Sequence, residues 1–330
     1  MIRPPRFWGA PPERPGLAAR ALAPLGRLYA GATARRVARP GARVPVPVIG
    51  VGNLVAGGAG KTPAALALCD RLRERGRAPH VVSRGHGGRE RGPLTVASHH
   101  RAGEVGDEPL LLARHHPVHV ARDRAAGARH AVEAGAEAVV LDDGFQNPDP
   151  AKDLSILVVD AAFGFGNGRV IPAGPLREPV AAGLARADLL VLVGEGDARA
   201  GFRARWGPAL PEALPVVEAR LVPLGGAAWR GRRVLAFAGI GRPERFFGTL
   251  RGLGAEVVGT VALADHAPIG PGRLARLEGR ARALRAELAC TEKDAMRLPP
   301  EARARVRALP VRLAPEDWAP VDAALGRLGL

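Results

Sequence analysis

Cysteine, lysine and aromatic residues are scarce in this chain of 330 residues. Its two cysteines, Cys69 and Cys290, cannot form a disulfide framework and have no metal-ligand spacing around them. Aromatic residues make up only 4% of the chain, so we expect a core of leucine, valine and alanine. The 43 glycines and 31 prolines favour short elements joined by tight turns. These features predict a globular α/β protein in a reducing, cytoplasmic setting.

Positive charge is plentiful, but lysine supplies almost none of it. The chain has 48 basic and 32 acidic residues, a formal net charge of +16, and its only lysines are Lys61, Lys152 and Lys293. This balance favours anionic partners such as phosphorylated ligands or lipid headgroups. The bias toward arginine indicates a coding preference, and no zinc finger, aromatic RNA-binding motif or basic zipper is present. We therefore expect no nucleic-acid partner.

Residues 1–43 form a basic arm in which nine arginines stand against one acid, Glu13. No uncharged stretch of the arm approaches the roughly 18 apolar residues of a membrane span, and none resembles the apolar core of a signal peptide. Apolar residues near helical spacing predict an amphipathic helix from about Leu17, interrupted or restarted at Pro24. Such a helix either lies in an anionic membrane surface or packs on the protein's own core, and the residues alone leave both open.

The stretch VAGGAGKT, Val55 to Thr62, matches a phosphate-binding loop except for the valine at its first position. An apolar, β-branched segment at 44–51 predicts a strand before the loop, and the residues after Pro63 predict a helix. This strand, loop and helix order is the context that a phosphate loop requires. We expect Lys61 to bind the outer phosphates and Thr62 to bind Mg²⁺. The phosphate oxygens would be bound by N–H groups of the loop and helix start: Val55, Ala56, Gly57, Gly58, Ala59, Gly60, Lys61 and Thr62.

Two carboxylates, Asp142 and Asp143, follow the apolar run at 138–141, which is the form of a Walker B strand. A similar run at 156–159 ends at Asp160. Strand-like and helix-like segments alternate along the chain, so we predict a P-loop NTPase-like, mainly parallel sheet with helices on both faces.

The segments near the C-terminus predict a second, smaller α/β unit. Strands are expected over 234–238 and 256–262, helices over 243–253 and 273–288, and a proline- and glycine-rich junction over 208–231. The predicted domains are the arm at 1–43, a P-loop core at 44–225 and a C-terminal domain at 226–330. The last of these would close the active-site cleft.

Eight motifs, from about residue 45 to 300, occur in an order that resembles the tetraacyldisaccharide 4'-kinase (lipid A 4'-kinase) family. They are VGNLVAGGAGKTP, SRGHGG, GDEP, LDDGFQN, GFGNGRVIPAGPLREP, FAGIGRPERFF, DHAP and TEKDAMRL. That family also lacks glycine at the first loop position, so Val55 agrees with the resemblance. The resemblance implies transfer of the ATP γ-phosphoryl group to the 4'-hydroxyl of tetraacyldisaccharide 1-phosphate, with Mg²⁺, to give lipid IVA.

The resemblance also implies a location and residue roles. The protein would be peripheral at the cytoplasmic face of the bacterial inner membrane, with residues 1–43 on its anionic surface and no obligate protein partner. Asp107 and His266 match a carboxylate–histidine pair thought to activate the sugar hydroxyl, while Lys61 matches the nucleotide site. Metal positions are matched by Thr62, Asp142 and Asp143. Positions linked to substrate or active-site structure are matched by Ser83, Arg124, Asn147, Arg177 and Glu178.

Asn147 departs from the family pattern, which usually has histidine there, and asparagine cannot titrate. The residues also leave two other functions open. One is a P-loop kinase or NTPase that acts on a soluble substrate. The other is a nucleotide switch at the membrane surface, although the N-K-x-D motif expected of a guanine-binding switch is not in the sequence.

Overall fold

The computed structural model describes residues 5–264 and 267–330. Its strands, in chain order, are β1 Val48–Gly52, β2 Pro79–Ser83, β3 Leu94–Thr95, β4 Val118–Val120, β5 Ala138–Asp142, β6 Leu154–Asp160, β7 Leu189–Val193, β8 Val216–Pro223, β9 Arg233–Ala238, β10 Glu256–Ala262, β11 Glu287–Thr291, β12 Val306–Leu309 and β13 Val311–Pro315. Its α-helices are α1 Leu17–Ala21, α2 Ala23–Val37, α3 Lys61–Glu74, α4 Ala102–Val105, α5 Asp107–Leu112, α6 Arg124–Glu133, α7 Val180–Leu184, α8 Gly196–Trp206, α9 Pro243–Gly252, α10 Pro271–Ala283, α11 Glu292–Met296, α12 Pro300–Arg303 and α13 Ala319–Gly326.

The larger sheet has the order β13-β8-β7-β6-β1-β5-β2-β4-β3 in the described residues. The strands from β8 to β4 run parallel, while the edge strands β13 and β3 are antiparallel to their neighbours. β1 lies between β5 and β6, so the loops that follow these three strands meet at one edge of the sheet. This edge carries the phosphate loop and both aspartate-ended strands.

Helices cover both faces of the larger sheet because its central strands are apolar on both sides. In β6, Ile156 and Val158 belong to one buried cluster with Leu68 of α3, whereas Leu157 and Val159 belong to another with Phe202 of α8. The mainly parallel, two-faced α/β sheet predicted from the sequence is confirmed.

The smaller sheet is entirely parallel, with the order β10-β9-β11-β12. The helix predicted over 273–288 ends earlier, at Ala283, and Arg285 has a left-handed backbone with φ of 49°. β11 then begins at Glu287, because Leu288 and Cys290 are buried between β9 and β12. Sheet pairing thus overrides the helical periodicity of this segment.

The last segment of the chain returns to the larger sheet. β13 pairs antiparallel with β8, a strand that lies inside the predicted junction at 208–231. β8 would otherwise expose an unpaired edge, and β13 satisfies its backbone groups. The predicted unit 226–330 therefore includes residues 311–330, which the structure places with the larger sheet. The division of the chain into functional domains otherwise stays a prediction.

The described part of the basic arm contains α1 and α2, and the helix restarts near Pro24 as predicted. The buried residues of these helices are small: Ala19, Gly26 and Thr33. A Cβ atom on Gly26 would lie 2.9 Å from the carbonyl oxygen of Val170, so this face of α2 packs against the loop after β6. Within residues 5–264 and 267–330, none of the helices has both the length and the apolar character to cross a membrane.

Candidate functional site

The phosphate loop, residues 53–60, connects β1 to α3. Gly57 and Gly60 have positive φ values of 138° and 88°, and α3 begins at Lys61, directly after Gly60. A side chain at Gly52, the last residue of β1, would meet the Cβ atom of Phe145 at 2.5 Å. Glycine therefore lets the strand end close to the turn that follows β5, which brings the loop next to Asp142 and Asp143.

The side chain of Lys61 points back across this loop. Its Nζ atom lies 3.3 Å from Asn53 Oδ1, 3.5 Å from the Gly57 carbonyl oxygen and 3.7 Å from Asp143 Oδ1. Only 12% of the side chain is exposed. The ammonium group thus lies between the loop and the aspartate pair, where it can reach a bound phosphate.

Asp142 and Asp143 are adjacent in sequence but have opposite electrostatic environments. Burial, together with Glu108 and Asp143, raises the pKa of Asp142 to about 7. Burial alone would also raise the pKa of Asp143, but Lys61 and Arg177 outweigh it and lower this pKa to about 2. The Oδ1 atom of Asp142 is buried and has no hydrogen-bond partner within the described residues. Such a carboxylate requires a cation or a proton.

Asp107 begins α5 and is 4% exposed. Its Oδ1 accepts a hydrogen bond of 3.0 Å from the Glu108 backbone N–H, and its Oδ2 lies 3.4 Å from Arg297 Nε. Glu108 forms a 2.9 Å ion pair with Lys293 of α11. α5 is therefore tied to α11, which follows the smaller sheet's strand β11.

His266 and Asp265 lie outside the described residues. The residue that follows them, Ala267, accepts a hydrogen bond of 3.2 Å from Arg297 Nη1. Arg297 therefore contacts both Asp107 and the residue next to His266.

Two of the predicted substrate residues lie near the aspartate pair. Arg124 donates to the carbonyl oxygens of Asp142 and Asp143, at 3.3 and 2.9 Å, and so supports their turn. Arg177 Nη1 donates to Asp143 Oδ1 at 2.8 Å and lies 3.3 Å from Gln146 Oε1.

The other three differ in their surroundings. Ser83 is buried at the end of β2, on the edge that carries the loop. Asn147 turns to the backbone of Asp149, with Nδ2 2.8 Å from its carbonyl oxygen. Glu178 is paired with Arg186 at 2.6 Å through both carboxylate oxygens. Their roles toward a substrate stay predictions.

Several residues that complete this region have no distinctive signal of their own in the sequence. Gln146 Nε2 donates to the Asn53 carbonyl oxygen at 2.8 Å and to Glu178 Oε1 at 2.9 Å, so it connects the phosphate loop to the segment after residue 176. Glu108, Lys293 and Arg297 connect α5 to α11. All of them lie inside the eight motifs, which was the available signal, but only tertiary contacts show which partners they choose.

Comparison with known proteins gives concordant results. A family model described as tetraacyldisaccharide-1-P 4'-kinase matches residues 18–328. The tetraacyldisaccharide 4'-kinase of Dinoroseobacter shibae is 59% identical over 330 residues, covering 99% of this chain and 98% of the relative. That of Methylorubrum populi is 54% identical and covers 96% of both chains.

A solved structure is similar as well. The crystal structure of LpxK from Aquifex aeolicus in complex with ATP has a TM-score of 0.73 and 27% sequence identity to this chain. The match covers 94% of this chain and 99% of that one. The similarity in fold thus extends over almost the whole length of both proteins.

Proposed function

The chain belongs to the tetraacyldisaccharide-1-P 4'-kinase family, and from this we propose that it transfers the γ-phosphoryl group of ATP to the 4'-hydroxyl of tetraacyldisaccharide 1-phosphate in lipid A biosynthesis. It is a phosphotransferase with an alcohol acceptor. The observation that carries the proposal is the position of Lys61 between the phosphate loop and Asp143. Asp142 directly precedes Asp143, and its Oδ1 atom has no hydrogen-bond partner among the described residues.

The nucleotide site is formed by residues 55–62. Backbone N–H groups of the loop and the first turn of α3 would bind the phosphate oxygens, because a helix N-terminus carries partial positive charge and free donors. Lys61 supplies a compact positive charge at the outer phosphates, where negative charge is spread in the transition state. ATP binding agrees with the similar fold of the ATP-bound relative.

Thr62, Asp142 and Asp143 fit a magnesium ion. Hydroxyl and carboxylate oxygens are ligands that Mg²⁺ accepts, and kinase sites typically use one or two carboxylates together with substrate phosphates. The raised pKa of Asp142 and its buried, unpartnered oxygen are what an acid held ready for a cation would show. When bound, Mg²⁺ would neutralise charge on the β- and γ-phosphates.

Asp107 and His266 would accept the proton of the attacking hydroxyl. Asp107 is buried at the start of α5, so its carboxylate is shielded from water. Phosphoryl transfer needs little covalent help beyond a positioned nucleophile and an acceptor for its proton. Ser83, Arg124, Asn147, Arg177 and Glu178 would orient the sugar phosphate or support the groups that do so.

The basic arm would hold the protein at the cytoplasmic face of the inner membrane. The exposed large apolar side chains of the described residues include Leu17, Leu25, Leu28 and Tyr29, all in α1 and α2. These helices turn their small residues toward the protein and their large apolar residues outward, which is the reverse of a surface helix packed on its own core. Apolar residues beside arginines suit an anionic membrane surface, where the acyl chains of the substrate also lie.

The test is incubation of the purified protein with labelled ATP, Mg²⁺ and the disaccharide 1-phosphate in mixed micelles, followed by separation of product from substrate. We expect a 4'-phosphorylated product, and Lys61→Ala should lower the rate about 100- to 1,000-fold because a charge aimed at the transferring phosphate is lost. Arg73→Ala, an exposed residue of the same helix, is the matched control and should retain the wild-type rate.

Three outcomes would contradict the proposal. Wild-type protein that binds ATP but forms no lipid product would exclude the activity. Near wild-type turnover by Lys61→Ala would exclude the nucleotide site. Equal phosphorylation of a glucosamine acceptor without acyl chains would favour a soluble substrate instead.

A further inference from the structure

Arg297 is a buried arginine that contacts three separate segments of the chain. Its side chain is 4% exposed. One terminal nitrogen, Nη2, donates to the Gly239 carbonyl oxygen at 2.8 Å, and the other, Nη1, donates to the Ala267 carbonyl oxygen at 3.2 Å. The Nε edge lies 3.4 Å from Asp107 Oδ2.

These segments belong to different parts of the fold. Asp107 begins α5 beside the larger sheet, Gly239 follows β9 of the smaller sheet, and Ala267 directly follows His266 in the chain. The approach is close at Gly239, where an added Cβ atom would lie 3.0 Å from both terminal nitrogens of Arg297. Glycine at this position therefore leaves the space that the guanidinium group occupies beside Asp107.

A buried arginine needs a counter-charge, and Asp294, one turn earlier, already supplies it. Asp294 has no exposed side-chain surface and pairs directly with Arg297 Nη2. Asp294 Oδ1 accepts a hydrogen bond of 2.9 Å from the Gly239 N–H, and the Asp294 backbone N–H donates to the side chain of Thr291, the N-cap of α11. Neutralisation of the buried charge is thus provided within one helical turn. The approach of Nε to Asp107 is an additional contact, and it is directed at the proposed proton acceptor.

The planar fork of arginine is suited to such a contact. Its nitrogens have fixed relative directions, so two carbonyl bonds on one side determine where the third edge points. A lysine ammonium in the same place would keep the charge but not these directions.

We propose that Arg297 is a positioning residue for phosphoryl transfer: it holds the Asp107 carboxylate in a fixed position relative to the backbone at Ala267. The inference rests on the proposed function, since it concerns the residues that would accept the hydroxyl proton. Arg297 acts through Asp107 and Ala267 and contacts neither the phosphate loop nor the aspartate pair in the described residues.

The expected signature is a loss in kcat with little change in the Michaelis constant for ATP. A displacement of about 1 Å in a catalytic group is sufficient for a loss on the order of 100-fold. We expect that loss in Arg297→Met, whereas Arg297→Lys should recover part of it because the charge near Asp107 returns without the fork. The Michaelis constant for ATP should stay within about threefold of the wild-type value, because the binding of ATP at the phosphate loop is unaffected.

Arg303→Met is the matched control. Arg303 lies in α12 and donates to the carbonyl oxygens of Leu298 and Met296, at 3.2 and 3.0 Å, without a contact to Asp107. The Arg303→Met variant thus removes an arginine that donates to backbone carbonyl oxygens in the same region. Its kcat should stay within about twofold of the wild-type value. Thermal melting of all variants separates loss of folding from loss of positioning.

The experiment compares kcat and both Michaelis constants of the variants with wild type in the micelle assay. The inference is overturned if Arg297→Met keeps kcat within twofold, if Arg303→Met loses as much, or if the loss lies in the Michaelis constant for ATP. Should Arg297→Met fail to fold, the same comparison with Arg297→Lys decides it. Failure of wild-type protein to phosphorylate the disaccharide would instead refute the proposed function, so the two failures are distinguishable.

Discussion

At the scale of single residues, surroundings outweigh residue type in setting charge. Asp142 and Asp143 have pKa values displaced in opposite directions because one is buried near two other carboxylates and the other faces Lys61 and Arg177. A similar effect occurs away from the site. His119 is fully buried, with its ring nitrogens 3.0 Å from His80 Nδ1 and 3.1 Å from Thr95 Oγ1. Burial, then His80 and His130, lower the pKa of His119 to about 4.

This lowered pKa predicts a loss of stability in mild acid. An unfolded histidine has a pKa near 6.5, so the unfolded state binds more protons than the folded state between about pH 4 and 6.5, and stability falls as pH falls through that window. Between pH 7.5 and 5, we expect the free energy of unfolding of His119→Gln to fall by about 1 kcal/mol less than that of wild type, after allowance for solvent screening. Urea unfolding at the two pH values measures the difference.

The control is His99→Gln, which removes an exposed histidine outside the buried cluster of His80 and His119. It should lose as much stability as wild type. An equal loss in His119→Gln and wild type would show that the buried histidine does not titrate in this window.

At the scale of elements, the direction of a helix face decides what α2 can bind. The spacing of its apolar residues is visible in the sequence. That spacing fits a helix that packs on the protein's own core as well as a helix that lies in a membrane surface. The structure packs Gly26 and Thr33 inward and leaves Leu25 and Leu28 exposed by 52% and 72%. Small residues allow the close approach of α2 to the loop after β6, and this approach turns the leucines outward.

We therefore predict that Leu28→Glu weakens binding to anionic vesicles by about 10-fold, since transfer of one leucine from water to an apolar phase is worth roughly 1.5–3 kcal/mol. Co-sedimentation with vesicles containing acidic lipid measures it. Leu224→Glu is the matched control, because Leu224 is 43% exposed but lies just after β8, outside the arm. Equal sedimentation of wild type and Leu28→Glu would refute the role of α2 at the membrane.

At the scale of the whole molecule, ion pairs to one buried carboxylate connect the regions of the two sheets. Asp160, at the end of β6, is 8% exposed in its side chain and pairs with Arg245 of α9 through bonds of 2.6 and 3.1 Å. Arg242 lies 3.4 Å from the same carboxylate. Nearby, a Cβ atom on Gly241 would be 3.8 Å from the Gly58 nitrogen, so the loop after β9 lies beside the phosphate loop.

Arg245→Gln should lower the free energy of unfolding by about 1 kcal/mol, because Asp160 is buried but the arginine is half exposed and screened by solvent. Removal of one partner leaves the buried Asp160 charge less compensated, although Arg242 remains and moderates the loss. Urea denaturation gives the value. Arg233→Gln breaks the exposed pair with Glu256 within the smaller sheet and should cost less than about 0.5 kcal/mol. Equal losses in the two variants would contradict a larger contribution from the pair at the buried Asp160 carboxylate.

Local sequence was sufficient to predict the elements that surround the phosphate loop. Glycine at positions 57 and 60, the following Lys61 and the apolar strand before them act within a few residues, so their conformations can be inferred from the chain itself. The two aspartates after 138–141 were visible for the same reason. The C-terminal end of the helix predicted over 273–288 is wrong, because the periodicity there is ambiguous and the partners of β11, β9 and β12, lie elsewhere in the sequence.

The sequence by itself thus determined the loop, the strand ends and the family to which their order belongs. Only the tertiary structure decided which distant residues meet: Arg297 with Asp107, β13 with β8, and the small face of α2 with the loop after β6. The physical reason is that backbone preferences are local, whereas charge pairing, edge pairing and burial depend on packing between segments that lie up to 190 residues apart.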